Sequence, residues 1–215
     1  MSADNDGKPE AAGRRFSMDD ARQKAQQARQ KAEHILARAW GLLRDPKAEW
    51  EQIRKEETTI PSILFGYVAP LAAIPPVSDF LGSALFNRML QGEPGDAMIR
   101  AVTTWIVSVA MVFLLGLIIN VVAESFDAER NELAAQKLAA YALTPAFLSG
   151  LFSLWPPLWW LSLFALAAMV FLMYRGLPIL MKTPPERAVG YTAAITIAAL
   201  VSFVVLFSLA SCVTG

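Results

Sequence analysis

Apolar and charged residues divide this chain into a polar N-terminal part and an apolar remainder. Residues 1–59 hold 12 of the 19 Lys and Arg residues and 11 of the 19 Asp and Glu residues. The remainder contains long runs without charge, among them the stretch between Tyr141 and Tyr174. Helices suit such runs because a helix satisfies its own backbone polar groups inside a bilayer. The pattern therefore predicts an all-α membrane protein.

The apolar runs of residues 60–215 predict a bundle of five transmembrane helices. Three prolines, Pro70, Pro75 and Pro76, interrupt the first run and predict a broken span. The third and fourth runs fold back on each other at Trp155-Pro156-Pro157, and residues 91–96 form a polar loop. The predicted spans are about 60–86, 101–123, 138–155, 158–174 and 189–212.

Basic residues on the connections predict the orientation. Nine lie on one set of alternating connections, and two, Arg88 and Arg100, lie on the other. The nine are Arg44, Lys47, Arg54, Lys55, Arg130, Lys137, Arg175, Lys182 and Arg187, of which we expect the last three to face phosphates. By the positive-inside rule, the N-terminus is cytoplasmic and the C-terminus lies outside. The start of the chain lacks the apolar core of a cleaved signal peptide, so insertion depends on the internal spans. We expect a multi-pass protein of the cell membrane.

The polar part predicts a disordered tail over residues 1–13 and a cytoplasmic or interfacial helical segment over residues 14–59. Gaps of three and four residues place one apolar, mainly alanine, seam on a single face from Met18 to Leu42, as in an amphipathic helix. Eight bases against three acids lie between Arg14 and Arg44. The bases beside the seam are candidates for binding an anionic leaflet or an acidic partner: Arg15, Arg22, Lys24, Arg29, Lys31 and Arg38.

Two further interpretations of this helix stay open. In a parallel homodimer Lys24 would face Arg29 of its twin, and an alanine seam buries little area, so simple self-pairing is disfavoured. Oligomers of another kind are compatible with the sequence. A solvated charged helix without a partner explains the same composition.

Candidate chemistry is sparse. A single cysteine, Cys212, excludes an intramolecular disulfide, and a single histidine, His34, excludes a His-rich metal site. The sequence has no GxxxxGK[ST] loop, GxGxxG turn or GxSxG elbow. We therefore expect no enzymatic activity, no catalytic residue, no metal or other cofactor, and no nucleic-acid partner.

Three polar residues fall within or beside the predicted spans: Asp79, Asn120 and Glu124. Interrupted spans with polar side chains form the sites of many carriers. These residues therefore allow a small transporter or channel component with a broken first span. An interfacial position at the ends of the spans is the alternative interpretation.

Several short motifs resemble the YIP family (Ypt/Rab-interacting-protein domain) in its bacterial branch, over about residues 35 to 212. They are Asp45-Pro46 with Trp50 and Glu56; Tyr67-Val68-Ala69-Pro70-Leu71; Ala139-Ala140-Tyr141 with Thr144-Pro145; and Tyr174-Arg175-Gly176-Leu177 with Met181-Lys182, Pro184 and Tyr191. The resemblance implies five spans, a cytoplasmic N-terminus, a bacterial inner-membrane location and no catalytic residues. For eukaryotic relatives it implies binding of Rab GTPases, for which bacteria have no vesicle pathway.

The sequence favours a scaffold, adaptor or membrane-organising factor in contact with the lipid bilayer. Its N-terminal helix would bind another membrane or cytoplasmic protein. The family-motif segment at the inner end of the fourth span is a second candidate for lipid or protein binding, and is predicted to be a loop. Its residues are Tyr174, Arg175, Gly176, Leu177 and Lys182.

Overall fold

A computed structural model describes the backbone of residues 8–85 and 94–214, and the side chains of residues 20–82 and 97–209 apart from Pro156. These residues form helices, turns and short connections, and no strand occurs among them. Residues 91–93 of the predicted polar loop lie outside the described residues, whereas residues 94–96 lie in α6, which begins at Pro94. The all-α prediction is confirmed.

Ten α-helices follow in chain order, with short 3-10 and π segments between them. The α-helices are α1 Lys8–Arg44, α2 Pro46–Lys55, α3 Ile60–Ile63, α4 Ala69–Ala72, α5 Ile74–Leu85, α6 Pro94–Val122, α7 Glu132–Ala142, α8 Thr144–Ser149, α9 Leu161–Leu180 and α10 Pro185–Thr214. A π-helical turn covers Leu64–Val68, and 3-10 helices cover Ala123–Phe126, Gly150–Leu154 and Pro156–Leu158.

In the part of the chain that the structure describes, five helical stretches are long and apolar enough to cross a membrane, as predicted. They are Ile60–Gly82, Ala97–Phe126, Glu132–Leu154, Leu161–Leu180 and Pro185–Leu209. The third stretch is the most deeply buried, with half of its residues inside the protein, whereas 11% of the fifth is buried. The third span therefore forms the centre of the bundle, and the fifth lies at its edge.

Two compact units divide the chain, Met1–Arg38 and Ala39–Gly215. The first includes most of α1, which begins at Lys8 and so takes in residues 8–13 of the predicted disordered tail. The second includes α2, which the sequence had grouped with the N-terminal segment. The two large apolar side chains of α2, Trp50 and Ile53, explain the difference, because they are buried in the membrane unit.

Local sequence sets the ends of α2. The Asp45 side chain accepts a hydrogen bond from the Ala48 N–H at 3.2 Å, which is an N-cap. Pro46 occupies the first turn, where a backbone N–H has no acceptor within the helix. The lack of an N–H therefore costs no helical hydrogen bond. The helix then carries Trp50 and Ile53 on one buried face and charged residues on the other.

The first span is broken, as its prolines predicted. Thr59 caps α3 by accepting from the Ser62 N–H at 3.4 Å. The chain then passes through the π-helical turn into α4, where Pro70 lies in the first turn. Proline has no N–H to donate to the carbonyl group one turn before it, and its ring clashes with that carbonyl group. The π-helical turn before Pro70 accommodates both effects. Pro75 and Pro76 fall at the start of α5 in the same way.

Close backbone approach joins α5 to the end of the third span. A Cβ on Gly150 would lie 2.6 Å from Cα of Pro75, and one on Gly82 would lie 2.7 Å from the Ser153 carbonyl oxygen. Such distances leave no room for a side chain. Within the same unit α7 packs against α6 and α9, α2 packs against α9, and α10 packs against α6 and α9.

The fourth span differs from its predicted end. The sequence predicted a loop at Tyr174-Arg175-Gly176-Leu177, but these four residues lie in α9, which continues to Leu180. Pro178 falls within the last turn of that helix, and only two helical residues follow the point where its missing N–H weakens the backbone ladder. The connection to α10 is therefore short, from Met181 to Pro184.

Candidate functional site

The exposed bases of α1 form the first candidate site. Arg22, Lys24, Arg29 and Lys31 are all exposed, and so is every other described side chain from Asp20 to His34. Arg29 Nε lies 2.9 Å from Glu33 Oε1, an ion pair between side chains one helical turn apart. These four bases therefore present positive charge without the cover of neighbouring apolar side chains.

The other two predicted members of that group differ. Arg15 lies in α1, but its side chain is outside the described residues. Arg38 is buried, so it does not belong to the exposed group. We call Arg22, Lys24, Arg29 and Lys31 the basic segment.

The second candidate site is the end of the membrane unit where α2 packs, which we call the α2 end. It comprises residues 39–58, 123–137 and 174–188. At its centre is Lys137 of the third span, which is 4% exposed. Its Nζ donates to the Ile53 carbonyl oxygen at 2.8 Å and to the Glu56 carbonyl oxygen at 2.6 Å. The ammonium group thus binds carbonyls at the C-terminal end of α2, where the helix dipole favours a cation.

Trp50 fixes α2 against the fourth span. It is fully buried, and a Cβ built on Gly176 would lie 2.9 Å from Cε2 of the indole and 2.5 Å from Cδ1 of Leu138. Glycine at position 176 therefore makes the space in which the indole lies. The family-motif Gly176 and Leu177 are both buried, whereas Tyr174, Arg175 and Lys182 are exposed.

Ion pairs join the two short connections of the α2 end. Lys182 Nζ lies 2.5 Å from Glu129 Oε2, and Arg187 Nε lies 3.2 Å from Asp127 Oδ2. The Glu129 N–H also donates to the Met181 carbonyl oxygen at 2.8 Å. The sequence had assigned the positive charges of Lys182 and Arg187 to the membrane surface. In the structure both side chains pair with acidic residues of the chain.

The predicted polar positions do not converge on one another. Asp79 is exposed on α5. Glu124 is exposed and pairs with Arg130 at 3.3 Å rather than with Asn120. The Oδ1 atom of Asn120 is buried on α6 and has no hydrogen-bond partner among the described residues. The structure therefore does not assemble these three residues into a site.

Other polar side chains inside the bundle bind neighbouring helices. Tyr67 donates to Thr144 Oγ1 at 2.8 Å, since that hydroxyl uses its own hydrogen on the Tyr141 carbonyl oxygen at 2.7 Å. Gln136 donates to the Phe113 carbonyl oxygen at 2.9 Å, and the Tyr191 hydroxyl donates to that of Ile119. Among the described residues no group of three His, Cys, Asp or Glu residues could hold a metal ion.

Sequence reasoning missed the role of Lys137. It counted this lysine among the bases that set the orientation, although Lys137 is followed directly by the apolar run Leu138 to Leu143. A lysine at the start of a buried stretch is a signal for a paired or capped ammonium group. The identity of its acceptors could not be read, because the carbonyl groups belong to a distant part of the chain.

The chain matches the model of a known family. The Yip1 domain matches residues 40–206, which include the first four spans and most of the fifth. The chain belongs to the Yip1 family. This confirms the family resemblance inferred from the motifs, and with the five apolar helices it identifies a multi-pass membrane protein.

Two curated relatives of this Yip1-family protein have the same printed name, Inner membrane protein YohC. One is from Escherichia coli strain K12 and the other from Escherichia coli O6:H1. Each is 26% identical over 168 residues, which is 74% of this chain and 86% of the relative. No solved structure matches the chain.

Proposed function

We propose that this Yip1-family protein is a non-enzymatic adaptor of the inner membrane that recruits an acidic protein through the basic segment of α1. The name of its curated relatives supports the inner membrane. The membrane unit would anchor the chain, with the N-terminus in the cytoplasm as the positive-inside rule favours. The observation that carries the proposal is the exposure of all four bases on a helix whose described neighbours from Asp20 to His34 are exposed too.

The size of the apolar side chains on α1 favours a protein over a lipid surface. Helices that lie in a membrane interface bury large residues such as Trp, Phe and Leu. Beside the basic segment, the apolar seam of α1 consists of Ala21, Ala25, Ala28 and Ala32, whose methyl groups bury little area. Charge complementarity to an acidic protein surface requires no such burial.

The test uses the full chain in native membranes with a variant in which Arg22, Lys24, Arg29 and Lys31 are all changed to Gln. We expect chemical cross-linking to a partner to fall at least tenfold, because several charge-assisted contacts are lost at once. Recovery of the partner with the wild-type protein should also fall as the salt concentration is raised, because salt screens exposed charges.

A matched control removes four exposed bases elsewhere in the chain: Arg54, Arg130, Lys182 and Arg187, all changed to Gln. This variant loses the same charge and should retain the partner. Equal loss in both variants, or recovery of a second copy of this chain alone, contradicts the proposal. If the basic segment binds protein-free anionic vesicles and no protein is cross-linked to it, the result favours the lipid interpretation.

A small transporter or channel component is the second candidate function. Two observations favour it, the break in the first span and the buried Asn120 oxygen that has no partner among the described residues. The exposed position of Asp79 weighs against it, since that carboxylate does not line the interior. Purified protein in liposomes should move ions or lipids if this candidate is right, and Asp79→Asn should change the rate.

A further inference from the structure

Ion pairing leaves the positive charge of the α2 end unevenly distributed. Arg130, Lys182 and Arg187 each lie within 3.3 Å of an acidic oxygen, and Lys137 is buried against two carbonyl groups. Arg54 pairs with Glu51 at 2.7 Å. Most bases that the sequence assigned to this membrane surface are therefore already occupied.

The exposed bases of the same end that form no ion pair within the described part of the chain include Arg175 on α9 and Lys47 and Lys55 on α2. The contact of Trp50 with Gly176 brings α2 against the turn of α9 that carries Arg175. Lys47 lies three residues before Trp50 on α2 and is exposed, whereas Trp50 is buried. Unpaired positive charge therefore lies on both of the helices that meet at Trp50 and Gly176.

The surface leading to Arg175 along α9 is apolar and exposed. Phe171 lies one turn before Arg175 on the same side of the helix, and Phe164 lies two turns further back. Phe171 is 51% exposed and Phe164 is 66% exposed. Such a stripe on a membrane-spanning helix faces acyl chains. The stripe ends at Arg175 and at Tyr174, which is also exposed and whose ring suits the interface.

We propose that the junction of α2 and α9 is a binding site for an anionic phospholipid, with Arg175 as the principal contact for its phosphate. The apolar stripe ending at Phe171 would contact an acyl chain, and Lys47 would add charge beside the headgroup. A guanidinium group binds phosphate through two parallel N–H donors, which a lysine cannot reproduce. This site is separate from the basic segment and does not depend on the proposed adaptor function.

The experiment is native mass spectrometry of the full chain in detergent, supplemented with phosphatidylglycerol, with phosphatidylcholine or with inorganic phosphate. Wild-type protein should retain phosphatidylglycerol in preference to phosphatidylcholine. Arg175→Gln should lower that retention about fivefold, since one juxtamembrane base contributes on that order. Arg175→Lys should lower it by a smaller factor because the charge is kept.

Arg187→Gln is the matched control, because Arg187 is an exposed arginine at the same end but is paired with Asp127. It should leave phosphatidylglycerol retention within about twofold of wild type. Circular dichroism and gel filtration check that both variants fold. Equal losses in Arg175→Gln and Arg187→Gln, or no preference for phosphatidylglycerol over phosphatidylcholine, would overturn the site. So would full displacement of the lipid by millimolar inorganic phosphate, since that ligand lacks acyl chains.

Discussion

Two charged helical segments of this protein differ in burial. The stretch of α1 from Asp20 to His34 is exposed at every described side chain, whereas α2 has two fully buried residues, Trp50 and Ile53. Both carry acids and bases along most of their length. The difference is the size of the side chains on the apolar face, alanine in the first and tryptophan and isoleucine in the second.

This comparison shows what attaches a polar helix to a membrane unit. A large apolar side chain removes far more area from water than a methyl group does. In α2 that burial is combined with an ammonium group from Lys137, which satisfies carbonyls at the end of the helix. The α1 stretch has neither feature among its described residues, and its described side chains are exposed.

The largest effect is expected from removing the buried indole. Trp50→Ala should destabilise the membrane unit by about 3 to 5 kcal/mol, because a large cavity forms beside Gly176. Thermal unfolding of the purified full chain measures it. Trp40→Ala is the control, since Trp40 is 66% exposed and Trp50 is fully buried. If the two variants unfold alike, α2 is not held by its tryptophan.

Removing the buried ammonium group should have the next largest effect. Lys137→Met keeps most of the side-chain volume but leaves the Ile53 and Glu56 carbonyls without this donor, at a cost of about 1 to 3 kcal/mol. Residues 39–58 should become more open to limited proteolysis while the spans stay protected. Lys182→Met, at an exposed ion pair, should leave proteolysis of that segment unchanged. If residues 39–58 stay protected from proteolysis in Lys137→Met, Lys137 does not hold this segment in place.

A smaller effect is expected from filling the space at Gly176. Gly176→Ala places a methyl group within 3.1 Å of Leu138 and of the Trp50 ring. Overpacking of this kind costs about 1 to 3 kcal/mol where neighbours shift little. Gly66→Ala meets nothing within 4 Å and should be neutral or slightly stabilising. Denaturation of both variants in the same detergent compares them. A neutral Gly176→Ala would show that the indole moves freely.

The smallest effect is expected on α1. Arg29→Gln removes an exposed ion pair with Glu33, and pairs as exposed as this one contribute little to stability because water and salt screen them. Thermal unfolding should hardly change. Ala28→Leu, which enlarges the exposed seam, should likewise leave the unfolding temperature of the membrane unit unchanged. A marked stabilisation by Ala28→Leu would show that the seam is already packed against something.

Much of the fold was predictable because its signals are local. Charge-free runs of sufficient length predicted five spans, and Pro70, Pro75 and Pro76 predicted the break in the first of them. The family motifs predicted membership that the Yip1 match confirms. The orientation stays a prediction, and so does the role of the basic segment, which the cross-linking experiment addresses.

The sites were less predictable. The sequence treated Arg175, Lys182 and Arg187 as equivalent bases facing phosphates, yet two of them are paired with Glu129 and Asp127. It also placed Tyr174 to Leu177 in a loop, although Pro178 is tolerated in the last turn of α9. Sequence patterns among neighbouring residues cannot distinguish an ion-paired base from an unpaired one when the acidic partner lies on a distant connection of the chain.

The sequence by itself determined the class of the protein, the number of its spans and the division between charged and apolar parts. Hydropathy and proline act on neighbouring residues, so their effects can be read along the chain. The tertiary structure decided which charges are paired, where α2 attaches and which exposed bases form no ion pair among the described residues. Those outcomes depend on approaches such as that of Lys137 to Ile53, across 84 residues of sequence, which only the packing of the helices brings about.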